Sequence, residues 1–114
     1  MLQVRSPASQ IKTLQLALAV ATLAHTPLLS NGHVLIPTDN ADANAINGFT
    51  YEAEISDAPK AAVAWAALDK LYWDDTNKVV TNVATANTLI GYALEASAAG
   101  DATTGLIAFN AFAA

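Results

Sequence analysis

The stretch whose reading decides the fold is DKLYWDDTNKVVTN, residues 69–82. Its first arm, 70–73, alternates: Leu71 and Trp73 fall on one side, Lys70 and Tyr72 on the other. Its second arm, 78–81, is rich in β-branched residues, which fit a pleated surface. Between them stand Asp74, Asp75, Thr76 and Asn77, whose short polar side chains bond their own backbone and favour turns. Two strand-forming runs joined by four polar residues predict a β-hairpin built around a type I turn. The hairpin carries no chemistry of its own.

Downstream, residues 88–97, TLIGYALEAS, predict a strand in which Gly91 marks a bend or the close approach of another backbone. Residues 98–102 form a turn and 103–109 a last strand. Upstream, KAAVAWAAL at 60–68 is compatible with one or two helical turns carrying Val63 and Trp65 towards the core. Residues 46–55, INGFTYEAEI, set Phe49, Tyr51, Ala53 and Ile55 against Thr50, Glu52 and Glu54, the pattern of a strand with one wet face. Asn47-Gly48 predicts a tight turn or bulge at its start. A short strand, 33–36, sits between the Ser30-Asn31-Gly32 turn and Pro37, and the polar loop TDNADAN follows at 38–44.

Residues 14–22 carry two signals. Ser6-Pro7 is a legitimate helix start, and Ala and Leu favour helix. Against this, Leu14, Leu16, Leu18 and Val20 recur every second residue, which predicts a strand with its large side chains on one face. Residues 1–13 read as an extended N-terminal arm with Leu2, Val4 and Ile11 as anchors. It either folds back on its own domain or lies on a neighbouring chain. The whole predicts a mainly β fold: a small antiparallel β-barrel or sandwich with one short helix or helical turn. The arm 1–13 precedes a single β-rich domain, 14–114.

A chain of 114 residues has room for one core. Hydrophobic residues make up 54% and charged residues 13%, so self-association or attachment to a larger surface is expected. The net charge is −5 and the pI about 4.6, with five basic residues scattered at 5, 12, 60, 70 and 78. Phosphate binding needs clustered Lys and Arg, so no nucleic-acid partner is expected. The absence of cysteine excludes disulfides, thiolate nucleophiles and zinc–thiolate sites. The apolar run after Lys12 superficially resembles a signal peptide, but it is too short and alanine-rich to span a bilayer, so no membrane partner is expected.

The chemistry-bearing residues form no recognisable constellation. His25 and His33 are the only histidines, with no third nitrogen or sulfur ligand, so no metal and no cofactor is expected. The acidic loops do not place oxygens at the spacing of a calcium loop. Glu52 and Glu54 would serve acid/base chemistry only in a concave pocket that also held a histidine. Trp65, Tyr72 and Trp73 would bind a sugar or aromatic ligand only if exposed in a groove; the other reading makes them core. No enzyme motif is present, and a non-catalytic ligand- or glycan-binding β module is the alternative to a structural role.

Residues 58–108 resemble a family of small tailed-phage proteins encoded beside the major capsid protein. The likeness rests on Ala58-Pro59-Lys60, Ala64-Trp65-Ala66, and the run from Asp69-Lys70-Leu71-Tyr72-Trp73 into Asp74-Asp75. It continues through Lys78-Val79-Val80-Thr81, Asn87-Thr88-Leu89-Ile90-Gly91 and Ala99-Gly100-Asp101-Ala102. The resemblance implies a head-decoration, or cement, protein on the outer face of an icosahedral capsid, similar in role to the lambda-type head-stabilising proteins. It implies the major capsid protein as partner, bridging of capsid subunits, and a homo-oligomer, a trimer favoured and a dimer possible. On that reading Leu2, Val4, Ile11 and Leu14 are the candidate contacts to the capsid or to a neighbouring subunit, with the arm adding a strand to a sheet edge.

Overall fold

In the computed structural model, which describes residues 1–113, nine strands run in chain order. They are β1 (Gln3–Val4), β2 (Lys12–Ala17), β3 (Leu28–Ser30), β4 (His33–Pro37), β5 (Ile46–Ser56), β6 (Lys70–Asp74), β7 (Val79–Thr81), β8 (Thr88–Ala93) and β9 (Ile107–Asn110). Ala114, the last residue of the expected domain, lies outside the described residues.

The long alternating run becomes the axis of the molecule. β5 has 11 residues and is paired along both edges. On one edge Lys12 through Ala17 face Glu52 through Ile46, and Gln3 and Val4 face Ser56 and Ile55. On the other edge Ile36 and Pro37 face Thr50 and Phe49, and β9 faces Ile55 through Glu52. Two-sided pairing satisfies the strand's backbone donors and acceptors, which is what permits an interior position. The sheet continues from β9 through β8 and β6 to β7, and from β4 to β3, and curls into an antiparallel half-barrel.

The mainly β expectation holds, and the hairpin falls where its pattern put it. Leu71 and Trp73 point into a core with Phe49, Ile55, Ile90 and Phe109. Each such side chain contributes roughly 1.5–3 kcal/mol by leaving water. The turn is organised by Asp74: its Oδ1 accepts the N–H groups of Thr76 (3.0 Å) and Asn77 (3.1 Å). Lys78, at φ 57°, returns the chain to β7.

Gly91 performs the close approach that its place in the strand predicts. It sits at φ 142°, and an ideal Cβ there would overlap the carbonyl oxygen of Ala108 on β9. The sheet is offset at this point, with Leu71 opposite Gly91 but Tyr72 opposite Leu89. Only glycine lets β8 and β9 meet so closely beside that irregularity.

Several boundaries differ from expectation. No helix forms over 60–68; among the described residues the helical element is a 3₁₀ turn at Ala8–Gln10, inside the arm. Tertiary bonds claim the backbone that a helix would use. Val80 N–H donates to Pro59 O and Ala61 N–H to Val80 O, both at 2.8 Å, so this segment covers the outer edge of β7. Lys60 Nζ takes the carbonyls of Ala61 and Val63, and Leu68 stands at φ 73°, outside any right-handed helix. The strand expected over 14–22 runs instead from Lys12 to Ala17. Beyond it Leu18 O accepts Asn44 N–H at 2.6 Å and the chain turns away. Leu14 and Leu18 pack against the core, whereas Leu16 and Val20 are exposed, so the period-two pattern does not bury all of its large residues. Asn47-Gly48 is no turn but part of β5, whose irregularity lies further on, opposite Lys12 and Thr13.

Candidate functional site

The residues singled out for partner contact all lie on the arm and β2, and β5 determines where they go. Val4 faces Ile55, Arg5 N–H donates to Glu54 O at 2.7 Å, and Glu54 N–H donates to Ser6 Oγ at 2.8 Å. The Ser6-Pro7 pair then opens the 3₁₀ turn, closed by Gln10 N–H on Pro7 O at 2.8 Å, before the chain rejoins β5 as β2. β1 and β2 are thus two lengths of one interrupted edge.

This places the four candidates differently. Leu2 is 2% exposed and belongs to the core. Val4 and Leu14 are half-buried and pack on that core, while Ile11 is half-buried. Ile11 and Val4 line an open groove of about 340 Å³ with Thr13, His25, Pro37 and Thr38. Leu2 lines a second groove of about 470 Å³ with Met1, Leu23, His25, Pro27 and Trp73. His25 stands on both grooves, held at φ 58° by its N–H on Pro37 O at 2.9 Å. Its Nδ1 is buried without a hydrogen-bond partner.

Much of the wall of these grooves comes from one uncharged segment, with Lys78 and Met1 also lining the second groove. Residues 13–38 contain no Asp, Glu, Lys or Arg. From this segment Leu16, Val20, Leu23 and Leu29 are exposed. Its border is marked by an exposed Lys12–Glu52 pair at 3.0 Å, in which the Glu52 carboxylate holds the Lys12 ammonium above its ordinary pKa. The acidic loop that follows is a strut rather than an ion site. Asn40 Oδ1 accepts Ala24 N–H at 2.9 Å, and Thr22 and Ala41 form a two-bond bridge. Buried Asn47 ties the two segments, donating Nδ2 to Thr22 Oγ1 (3.1 Å) and Asp39 O (2.7 Å).

The other candidate chemistries are dispersed. Glu52 and Glu54 line an open groove of about 410 Å³ with Ser6, Gln10, Tyr92 and Asn110, and no histidine lines it. His33 Nδ1 instead lies 3.1 Å from Ala111 O, and its ring packs on Phe112. Trp65 and Trp73 are buried, the latter donating Nε1–H to Asp75 Oδ1 at 3.1 Å, and Tyr72 is half-buried. Trp65 therefore offers no platform to a ring-shaped ligand. No group of three or more His, Asp or Glu among the described residues is arranged to hold a metal ion. Among the described residues no helix is long and apolar enough to cross a membrane. Around β2 the molecule presents exposed Leu16 and Val20 and, among the described residues, an edge that no other strand pairs.

Sequence reasoning missed two features. The charge-free length of 13–38 was available from a plain count of charges. The buried role of Lys60 had only a faint signal, one lysine leading an otherwise apolar run.

A search of protein families matches residues 8–109 to the phage cement proteins. No curated protein and no solved structure matches the chain.

Proposed function

The chain belongs to the phage cement protein family, and from that premise we propose that it binds the outside of an icosahedral capsid and bridges neighbouring copies of the major capsid protein. Family membership carries a structural, capsid-stabilising role in the virion; the outer surface, the bridging and self-association of copies are our reading. Such a protein works by mass action. Each copy engages more than one capsid subunit, so only the assembled shell presents its full site and is stabilised by occupancy.

The contact surface in this reading is the arm side of the half-barrel. One uncharged segment on that side carries the assignment: a chain of net charge −5 keeps residues 13–38 free of charge, and that segment exposes Leu16, Val20, Leu23 and Leu29. Desolvating such a surface costs little, and contiguous apolar area marks interaction sites. Val4 and Ile11 form a groove wall, Leu14 supports the edge, and Leu2 anchors the arm from inside. Removing residues 1–13 would take Leu2 out of the core, so point substitutions on the groove walls are the better test.

Ile11→Asp and Leu23→Asp should each lower occupancy on purified heads at least roughly tenfold, because an unpaired carboxylate must be desolvated on docking. Occupancy is read as the ratio of this protein to capsid protein in sedimented heads, with circular dichroism verifying the fold. Full occupancy by both folded variants would rule the arm side out as the capsid contact.

A further inference from the structure

We propose that β2 is a docking edge for a second copy of this chain. Two β2 strands pair antiparallel about a two-fold axis through Gln15 and join two half-barrel sheets into one. This deepens the self-association in the reading above and rests on it.

The register on β5 shows which way the backbone of β2 faces. Gly48 lies opposite Gln15, and its carbonyl accepts Thr38 N–H at 3.0 Å on the far edge of β5. Gly48 therefore turns its peptide groups away from β2, and Gln15, its non-hydrogen-bonded neighbour, turns its own outward. The two-residue period sends those of Thr13 and Ala17 outward too. No other strand among the described residues pairs with that outer edge.

The remaining edges are protected. β7 is covered by residues 59–61. β3 has three residues behind Pro27, and β1 has two and is followed shortly by Pro7. Short strands and nearby proline are the devices by which natural sheets blunt an edge. β2 has six residues, no proline, and no charge beyond Lys12, which is engaged by Glu52.

Charge selects a second copy as the occupant. Two chains of net charge −5 repel each other, and residues 13–38 offer them a meeting place without like charges. In the two-fold register Thr13 meets the partner's Ala17, Leu14 meets Leu16, and Gln15 meets itself. No ionisable side chain opposes another. Leu16, 38% exposed, gains a leucine neighbour. An edge this short buries less than the roughly 1,200 Å² of a standard interface. The pair is therefore weak in solution and strengthens where copies are held side by side on a shared scaffold.

The test uses the chain's lack of cysteine. Full-length Thr13→Cys, Gln15→Cys and Ala17→Cys variants are oxidised mildly and their disulfide dimers timed. Gln15→Cys should cross-link at least roughly tenfold faster than either other variant. Its two sulfurs meet at the axis, whereas in a pair of Thr13→Cys or of Ala17→Cys chains the introduced sulfurs lie roughly 13 Å apart, beyond disulfide reach. A mixture of the Thr13→Cys and Ala17→Cys proteins should cross-link faster than either alone. In sedimentation equilibrium Gln15→Pro, which removes an outward N–H and no bond to β5, should weaken dimerisation roughly 30-fold. Equal cross-linking by the three single variants, a trimer in solution, or association unchanged by Gln15→Pro would overturn the pairing. If the cysteine pattern fails while Ile11→Asp still empties the heads, the pairing is wrong and the capsid contact stands. If the pattern holds while both groove variants bind heads fully, the proposed capsid contact fails by itself.

Discussion

Lys60→Met is the substitution that probes this fold most sharply. Lys60 is 7% exposed, and its ammonium is held by carbonyls: Nζ donates to Ala61 O (3.1 Å), Val63 O (2.8 Å) and Ala98 O (2.9 Å). It also stands 4.7 Å from the centre of the Trp65 ring. An ammonium has three N–H donors, and each has a partner here. Methionine keeps the length of the stem and loses all of these contacts. A charge-assisted hydrogen bond is worth about 1.5–3 kcal/mol, and a cation over an aromatic face about 0.5–2 kcal/mol. These terms do not add, because the carbonyls at the rim regain water and methionine gains transfer energy. A net loss of about 3 kcal/mol is expected, equivalent to a melting temperature lower by roughly 12 °C for a domain of this length. Differential scanning calorimetry on Lys60→Met, with the exposed Lys70→Met as control, measures it; the control should stay within about 0.5 kcal/mol of the parent. A Lys60→Met protein as stable as the parent, or more so, would refute the reasoning. The desolvation of the buried charge would then equal or exceed what its contacts return.

Three further outcomes are expected. Gly91→Ala, which forces a Cβ against the Ala108 carbonyl at φ 142°, should cost at least about 3 kcal/mol in urea denaturation. Asn47→Ala removes the ties to Thr22 and Asp39 and should cost about 2 kcal/mol, with faster amide exchange concentrated in residues 18–27. In the hairpin turn the Asn77 side-chain amide holds the Asp74 carboxyl below its ordinary range, and Lys78 does the same for Asp75. A pKa lowered by folding gives stability that is complete above the unfolded value of about 3.9 and is lost as pH falls through the folded one. The melting temperature should therefore drop below about pH 4, and the Asp74→Asn, Asp75→Asn double variant should show a shallower drop.

Local pattern made the hairpin legible, since the arms 70–73 and 78–81 and their polar turn needed only each other. Gly91 was legible for a similar reason: glycine inside a strand has few explanations. Residues 60–68 were not, because alanine favours helix in isolation while the deciding bonds come from Val80 and Ala98, far along the chain. The arm's position was equally hidden, for its partners Glu54 to Ser56 lie about fifty residues away and its own composition names none of them. Val4 and Ile11 line one groove, whereas Leu14 packs on the core, and the apolar character that made Leu2 a contact candidate also suits it to the core. The groove residues Leu23, His25 and Pro27 could not be tied to the arm until the fold set them beside Met1 and Leu2.

The register on β5 also determines how the molecule bears tension. Gln3 faces Ser56, so the N-terminus leaves β5 at one end; Asn110 faces Glu52, so the chain after β9 leaves towards the other. A force drawing the termini apart slides β1 and β9 in opposite senses along the two flanks of β5. Hydrogen bonds stressed in shear must rupture together, whereas a hairpin opened from its end gives them up one at a time. The bonds from Arg5 to Glu54 and from Ala111 to Tyr51 lengthen the grip on either side. Stretched from its ends, this small sheet should yield abruptly and late, a mechanical property that the proposed bridging of capsid subunits would use.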